Sequence, residues 1–213
     1  MLCFQNARFL VSAGPNGDLP PDTGAEIAFV GRSNAGKSSA LNAIAQQRGL
    51  ARVSKTPGRT QLVNFFALDA RYRLVDLPGY GYAHAPPAAQ RAWEQLVRHY
   101  LATRASLKGL VVVVDARHGV SELDVQVAGW AQGVELALHV VLTKADKLGH
   151  AGQQAALKTL QASLPGVPAT LFSATKGIGL APARAALSRI LEGERKKAPE
   201  TRGENPGPGE VPT

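Results

Sequence analysis

Gly31-Arg32-Ser33-Asn34-Ala35-Gly36-Lys37-Ser38 has the spacing G-x-x-x-x-G-K-S. Glycines at both ends let the backbone turn its N–H groups inward around phosphate oxygens. Lys37 adds a point charge where β and γ phosphates would lie, and the Ser38 hydroxyl is placed to bind Mg²⁺. Three further clusters extend this chemistry. Asp76-Leu77-Pro78-Gly79 pairs a carboxylate that can hold Mg²⁺ through water with a Gly79 N–H able to meet a γ-phosphate. Thr143-Lys144-Ala145-Asp146 ends in a carboxylate that can accept from both N1–H and the 2-amino group of guanine. Adenine lacks that donor pair, so a buried acceptor there discriminates by leaving polar groups unpaired. Lys144 can lie along the base and brace the phosphate loop. Phe172-Ser173-Ala174 then offers a backbone N–H to the guanine O6.

Between the first two clusters lies Ser54-Lys55-Thr56-Pro57-Gly58-Arg59-Thr60-Gln61, a polar, glycine-containing segment suited to ordering around γ-phosphate and Mg²⁺. Thr60 is the candidate for a second hydroxyl on the metal, and Thr56 is its rival by position. A Ras-type GTPase places a glutamine directly after D-x-x-G to orient the attacking water. Tyr80 stands there instead, between Gly79 and Gly81. A phenol cannot do the amide's work in that geometry, so hydrolysis is expected to be slow and the segment flexible.

The elements that must position these groups are legible as alternation. Ile27–Val30, Leu110–Val114 and Leu138–Leu142 are continuously apolar, as strands buried on both faces of a parallel sheet are. Helix-length stretches follow at 37–47, 121–132 and 151–164, and a fourth pair is Ala169–Phe172 with 177–191. This repetition predicts an α/β fold with right-handed crossovers. Leu62–Leu68 and Arg71–Val75 flank Asp69-Ala70 and read as a hairpin, so one strand should run antiparallel. The next helix, about 86–103, opens on a Pro-Pro pair. Arg91, Trp93, Arg98, His99, Tyr100, Arg104 and Lys108 mark a basic, aromatic-bearing stretch there. It is read as a solvated face with Trp93 packed inward, or as a contact for RNA phosphates.

Composition bounds the rest. The chain has 213 residues, 45% hydrophobic and 19% charged, which suits one globular domain. Its single cysteine, Cys3, excludes an internal disulfide and any cysteine-built zinc site. The histidines, at positions 84, 99, 118, 139 and 150, have no metal-ligand spacing, and His139 reads as a satisfied core residue. No apolar run nears the roughly 20 residues that cross a bilayer. The net charge is +8. Residues 194–213 balance four basic against four acidic side chains, so the excess lies on residues 1–193 and favours an anionic partner. The same twenty residues hold four prolines and almost no apolar side chain, and read as a disordered tail.

Together GRSNAGKSS, KTPGRTQLVNFF, LVDLPGYGYA, LTKADKL and FSATKGIG resemble the EngB (YihA/YsxC) family of bacterial GTPases, within the TrmE-Era-EngA-EngB-Septin-like P-loop group. The resemblance spans about residues 5–192. It implies a Ras-like domain, Mg²⁺ dependence, a role in assembling the large ribosomal subunit, and a role in cell division and septation. It favours Thr60 as the switch metal ligand beside Ser38, with Gly58, Arg59, Thr60, Gln61 and Leu62 touching the nucleotide. Related GTPases carry an asparagine in the phosphate loop and use a bound K⁺. Asn34 stands at that position, so K⁺ beside the phosphates and faster turnover in KCl than in NaCl are expected.

The sequence thus predicts a three-layer α/β P-loop domain over residues 26–193. Its sheet should be mostly parallel, six-stranded, with one antiparallel strand. Residues 1–25 are a lead-in packed on that domain. The expected protein is cytoplasmic, monomeric and without membrane contact. It binds GTP·Mg²⁺ and hydrolyses it slowly to GDP and phosphate, with Lys37, Thr60 and Gly79 as candidate catalytic residues. The difference between its GTP and GDP forms would time association with the RNA and proteins of a large-subunit precursor. A rival reading, an RNA- or ribosome-binding scaffold with a structural nucleotide, would show equal affinity with GTP, GDP and no nucleotide. An ATP-dependent phosphotransferase is the other rival, and the TKAD motif argues against it.

Overall fold

The computed structural model describes residues 2–14, 17, 19–51, 62–81 and 86–193. Strands β1 (Arg8–Ala13), β2 (Ala25–Gly31), β3 (Val63–Ala67), β4 (Tyr72–Asp76), β5 (Leu107–Asp115), β6 (Ala137–Thr143) and β7 (Ala169–Leu171) make one sheet, ordered β1-β3-β4-β2-β5-β6-β7. From β4 through β7 every neighbouring pair is parallel. β3 alone is reversed, pairing antiparallel with β1 and β4. Its hairpin turns on Asp69, whose Oδ1 accepts the N–H groups of Arg71 (2.7 Å) and Tyr72 (2.8 Å).

Successive side chains of a strand face opposite ways, so each central strand feeds two cores. Ile27, Phe29, Val111 and Val113 pack with Leu41 and Ile44 of α1 (Lys37–Ala45) and with Ala183 and Leu187 of α5 (Leu180–Glu192). Ala28, Val30, Val112 and Val114 pack with α2 (Pro87–Thr103), α3 (Glu122–Gly133) and α4 (His150–Ser163) through Trp93, Val97, Val127 and Leu160. Three layers result. α3 begins in a reciprocal cap, with the Asp124 carboxylate accepting the Ser121 N–H at 2.7 Å. From α5, Arg184 donates to the Ile44 carbonyl at 2.8 and 2.5 Å and so closes the C-terminal end of α1.

The sheet differs from expectation in size, having seven strands where six were expected. The added strand is β1, inside the stretch read as a lead-in. Its burial runs from exposed to buried rather than alternating, Phe9 is 57% exposed, and its register shifts between Phe9 and Val11. Only pairing with β3 makes it a strand. The stretch 177–191 becomes helical at Leu180, because Gly177 and Gly179 hold a left-handed turn (φ 70° and 73°) ahead of it. His139 is buried against Thr170, 2.9 Å from its Oγ1, and burial pushes the imidazole down to about 4. The expected tail, residues 194–213, lies outside the described residues.

At the base of the sheet a buried charge cluster fixes the approach to β2. Glu26 is fully buried and accepts from Arg73 (2.5 Å), from Arg104 (2.9 and 2.7 Å) and from the Tyr100 hydroxyl (2.8 Å). Arg104 also donates to the carbonyls of Pro20 (2.9 Å) and Pro21 (3.3 Å), and Asp22 accepts the Ser106 N–H at 2.7 Å. Tyr100 and Arg104, read from sequence as part of a basic surface, therefore face inward. Arg91, Arg98, His99 and Lys108 remain exposed, and Trp93 is buried.

Removing Glu26 would leave Arg73 buried without its counter-charge and Arg104 with only Asp22, 3.5 Å away. Glu26→Ala is expected to lower stability by roughly 3–5 kcal/mol in urea denaturation. Burial alone would raise the Glu26 carboxyl, but hydrogen bonds from Arg104, Tyr100 and Arg73 outweigh it and hold the group below its ordinary 4.5. The folded state thus keeps this carboxylate ionised where the unfolded chain protonates it. Its contribution is complete above about pH 5 and is lost as pH falls through the lower folded value. The urea midpoint of the wild type should accordingly fall on acidification below that point, and more steeply than that of Glu26→Gln.

Candidate functional site

β2, β4, β5, β6 and β7 all end at one edge of the sheet, and the motifs leave from those ends. β2 runs into Gly31, where a Cβ would lie 2.5 Å from the Val113 carbonyl oxygen of β5, so no side chain fits. Gly36 closes the loop at φ 95° and caps α1, whose first two residues are Lys37 and Ser38. Lys37 Nζ is paired with the carboxylate of Asp76, the last residue of β4. The cation expected at the phosphates and the carboxylate expected at the metal are therefore neighbours, as a shared phosphate–metal site requires.

Among the described residues no three His, Cys, Asp or Glu side chains gather to hold a metal ion. The donors at hand are the Ser38 hydroxyl and the Asp76 carboxylate. Such a sparse set of hard oxygens suits Mg²⁺, which keeps its waters and shares substrate phosphates rather than sitting in a protein cage. The residues present fit that ion. Thr60 and its rival Thr56 lie outside the described residues, as do Gly58, Arg59 and Gln61. Leu62 is described and leads into β3.

Leu77, Pro78 and Gly79 follow β4, and the segment is tied to the phosphate loop. The Leu77 N–H donates to Phe29 (2.9 Å), the Ser33 N–H to Tyr80 (2.7 Å) and the Tyr80 N–H to Gly31 (3.3 Å), while Arg32 and Tyr80 form a bridge. The Trp93 indole donates to the Pro78 carbonyl at 2.7 Å. Tyr80 is 4% exposed, its ring centroid lies 4.9 Å from that of Trp93, and its hydroxyl donates to Asp124 on α3. Burial and the Asp124 carboxylate push the phenol well above its ordinary value. The sequence suggested a loose segment between Gly79 and Gly81. The structure shows Tyr80 anchored between α2 and α3, its hydroxyl engaged by Asp124 of α3.

On the side expected to read the base lies a cleft of about 230 Å³ walled by Gly36, Thr143, Asp146, Phe172, Ala174 and others. Thr143 ends β6, and its hydroxyl donates to the Ala35 carbonyl, with the Val114 carbonyl 3.1 Å away. Lys144 takes a left-handed backbone (φ 58°) and reaches the Asn34 carbonyl with Nζ at 2.7 Å. Ala145 donates its N–H to Phe172 (3.0 Å). Asp146 points its carboxylate at the cleft, where the Ser173 hydroxyl holds it below the usual carboxylate range.

The structure thus brings residues 31–38, 76–79, 143–146 and 172–174 to one edge. Sequence reading missed two supports. Gln153 of α4 donates to the carbonyls of Ala145 (2.9 Å) and Leu148 (3.1 Å), and Asp115 at the end of β5 pairs with Lys144 at 2.8 Å. A carboxylate closing an apolar strand, as Asp76 does, was the available signal for Asp115. Because the Tyr80 hydroxyl faces α3, Tyr80→Phe should cost about 1 kcal/mol of stability in urea denaturation and leave the GTP turnover rate unchanged. A loss of turnover would place the hydroxyl in the chemistry.

Residues 26–144 match the family described as 50S ribosome-binding GTPase. A probable GTP-binding protein EngB from Coxiella burnetii is 52% identical over 198 residues, covering 90% of this chain and 95% of that one. Its counterpart from Hydrogenovibrio crunogenus is 47% identical over 205 residues, covering 93% and 97%. Among solved structures, a probable GTP-binding protein engB has a TM-score of 0.66 at 21% identity, over 79% of this chain and 100% of that one. Era bound to MgGDPNP and a piece of 16S ribosomal RNA has 0.57 at 20% identity, over 80% of this chain and 56% of that one. The geometry of the sheet edge and these likenesses agree, and the chain belongs to the EngB family of P-loop GTPases.

Proposed function

We propose that the chain binds GTP with Mg²⁺, hydrolyses it slowly, and acts as a monomeric nucleotide switch whose partner is an assembling large ribosomal subunit. The observation that carries this is the meeting of the 31–38 loop, the Asp76 carboxylate beside Lys37, and the Asp146 carboxylate on the cleft at one sheet edge. Ligands of open α/β sheets bind at that edge.

In this reading residues 31–38 wrap the phosphates, and Lys37 leaves Asp76 to neutralise the β and γ oxygens. Ser38, Thr60 and Asp76 would hold Mg²⁺, which supplies charge neutralisation at those oxygens when bound. The Gly79 N–H meets the γ-phosphate. Water attacks the γ phosphorus, the bond to the β–γ bridging oxygen breaks, and GDP leaves. The amide that would orient that water is missing, since Tyr80 is turned into the core, which supports a slow intrinsic rate. Asn34 is exposed on the loop and could offer its side-chain oxygen to K⁺ beside the phosphates. The matched family's description and the basic surface of residues 1–193 support the ribosomal partner. The cell-division role implied by the resemblance is assigned to the same switch.

Two experiments test this. Asp146→Asn should exchange preference from GTP to xanthosine triphosphate, because an amide can donate to the 2-oxo group; a variant still preferring GTP would show that Asp146 does not read the base. Sedimentation with separated ribosomal subunits should carry the protein down with the large subunit in a GTP analogue and release it in GDP. Equal pelleting with GTP, GDP and no nucleotide would favour the scaffold reading.

A further inference from the structure

Two residues of the site that are not glycine hold left-handed backbones, Asn34 at φ 64° and Lys144 at φ 58°. Such residues are strained and persist where their surroundings over-determine them. A single ammonium joins these two: Lys144 Nζ donates to the Asn34 carbonyl (2.7 Å) and pairs with Asp115 Oδ2 (2.8 Å). Asp115 is itself held from several sides. It is 7% exposed, and it lies opposite Thr143 in the β5–β6 ladder, one residue before Lys144. Arg117 grips it with Nε (3.0 Å), with the second guanidinium nitrogen (2.8 Å) and with its backbone N–H (3.0 Å). His118 Nε2 lies 3.9 Å from the same carboxylate. Neither Asp115 nor Arg117 is among the residues that wall the cleft.

We propose that Asp115 is a positioning residue for nucleotide recognition. It clamps the Lys144 ammonium onto the Asn34 carbonyl, so that the base-reading loop and the phosphate loop are locked in one relative geometry. Without that clamp Lys144 keeps its charge but loses its direction, and both strained backbones lose the bond that holds them. Arg117 completes the device by fixing the carboxylate, two residues from its own place in the chain. The proposal rests on the nucleotide reading above. It adds that affinity depends on a carboxylate that acts on the ligand only through Lys144.

A double-mutant cycle on the full chain tests it, with a fluorescent GDP analogue as probe and thermal denaturation as the check on folding. Asp115→Ala should weaken binding about tenfold, within the range measured for coupled neighbours. Lys144→Ala should weaken it at least as much. The double variant should bind no worse than Lys144→Ala alone, because Asp115 acts through that lysine. Losses that add in the double variant, or an Asp115→Ala affinity within twofold of wild type, overturn the proposal. Should Asp115→Ala fail to fold, Asp115→Asn alone and with Lys144→Ala completes the cycle; it keeps the shape and one acceptor but not the charge, and an intermediate loss absent from the Lys144→Ala background is expected. Wild-type protein that fails to bind the probe would overturn the nucleotide reading itself, whereas tight wild-type binding with an indifferent Asp115 overturns this inference alone.

Discussion

A loop that binds phosphate through its backbone must keep its carbonyls turned away from the ligand. Each peptide unit is planar, so a carbonyl held outward turns the next residue's N–H the other way, although the Ala35 N–H is itself taken by the Arg32 carbonyl at 2.9 Å. Three carbonyls of this loop are held in that way by three different neighbours. Gly31 accepts from the Tyr80 backbone, Asn34 from the Lys144 ammonium, and Ala35 from the Thr143 hydroxyl. The first comes from the segment after β4 and the others from the end of β6. The close approach of Gly31 to Val113 pins the strand that feeds the loop. Glycine spacing makes the turn possible, and these outward bonds select one conformation from those that glycine permits.

Among the described residues, two buried charge clusters lie near opposite ends of the central strands, about 16 Å apart along β2. At the base, Glu26 gathers two guanidinium groups and a phenol, and its work is to hold residues 20–22 against the end of α2. At the top, Asp76 and Asp115 each hold a lysine that the nucleotide reading sends to the ligand. The distinction lies in what the cation faces. Arg73 and Arg104 are enclosed, whereas Lys37 and Lys144 border the open edge and keep donor capacity for another partner.

Much of this was legible from residue types alone. Continuous apolar runs gave β2, β5 and β6, because strands covered on both faces have no polar side to reveal, and the hairpin followed from Asp69-Ala70 between the strand-like segments Leu62–Leu68 and Arg71–Val75. The phosphate loop and the TKAD segment were readable because spacing itself encodes their geometry. β1 was not readable: an edge strand with Phe9 and Leu10 exposed has neither alternation nor a continuous run to show. Tyr100 and Arg104 misled for a related reason. A basic side chain on an amphipathic helix resembles surface until its counter-charge is known, and Glu26 lies 78 residues from Arg104 in the chain. Asp115 escaped because it lies one side chain beyond the motif that names the site, reached only through its partner Lys144.

The chain has two tryptophans, of which Trp93 sits against the segment that senses the γ-phosphate in the proposed switch and Trp130 packs against Trp93. Trp93 donates its indole N–H to the Pro78 carbonyl, and Trp130 stands 6.1 Å from it with the Arg98 guanidinium 4.3 Å above its ring. Indole emission shifts with the polarity and hydrogen bonding of the ring's surroundings. A movement of Pro78 by even an ångström or so breaks a bond of 2.7 Å and alters the stacking with Tyr80. The protein therefore carries a built-in optical reporter of residues 78–80, undiluted by any tryptophan outside this cluster, and the conformational cycle of the proposed switch is open to observation in real time without an added dye.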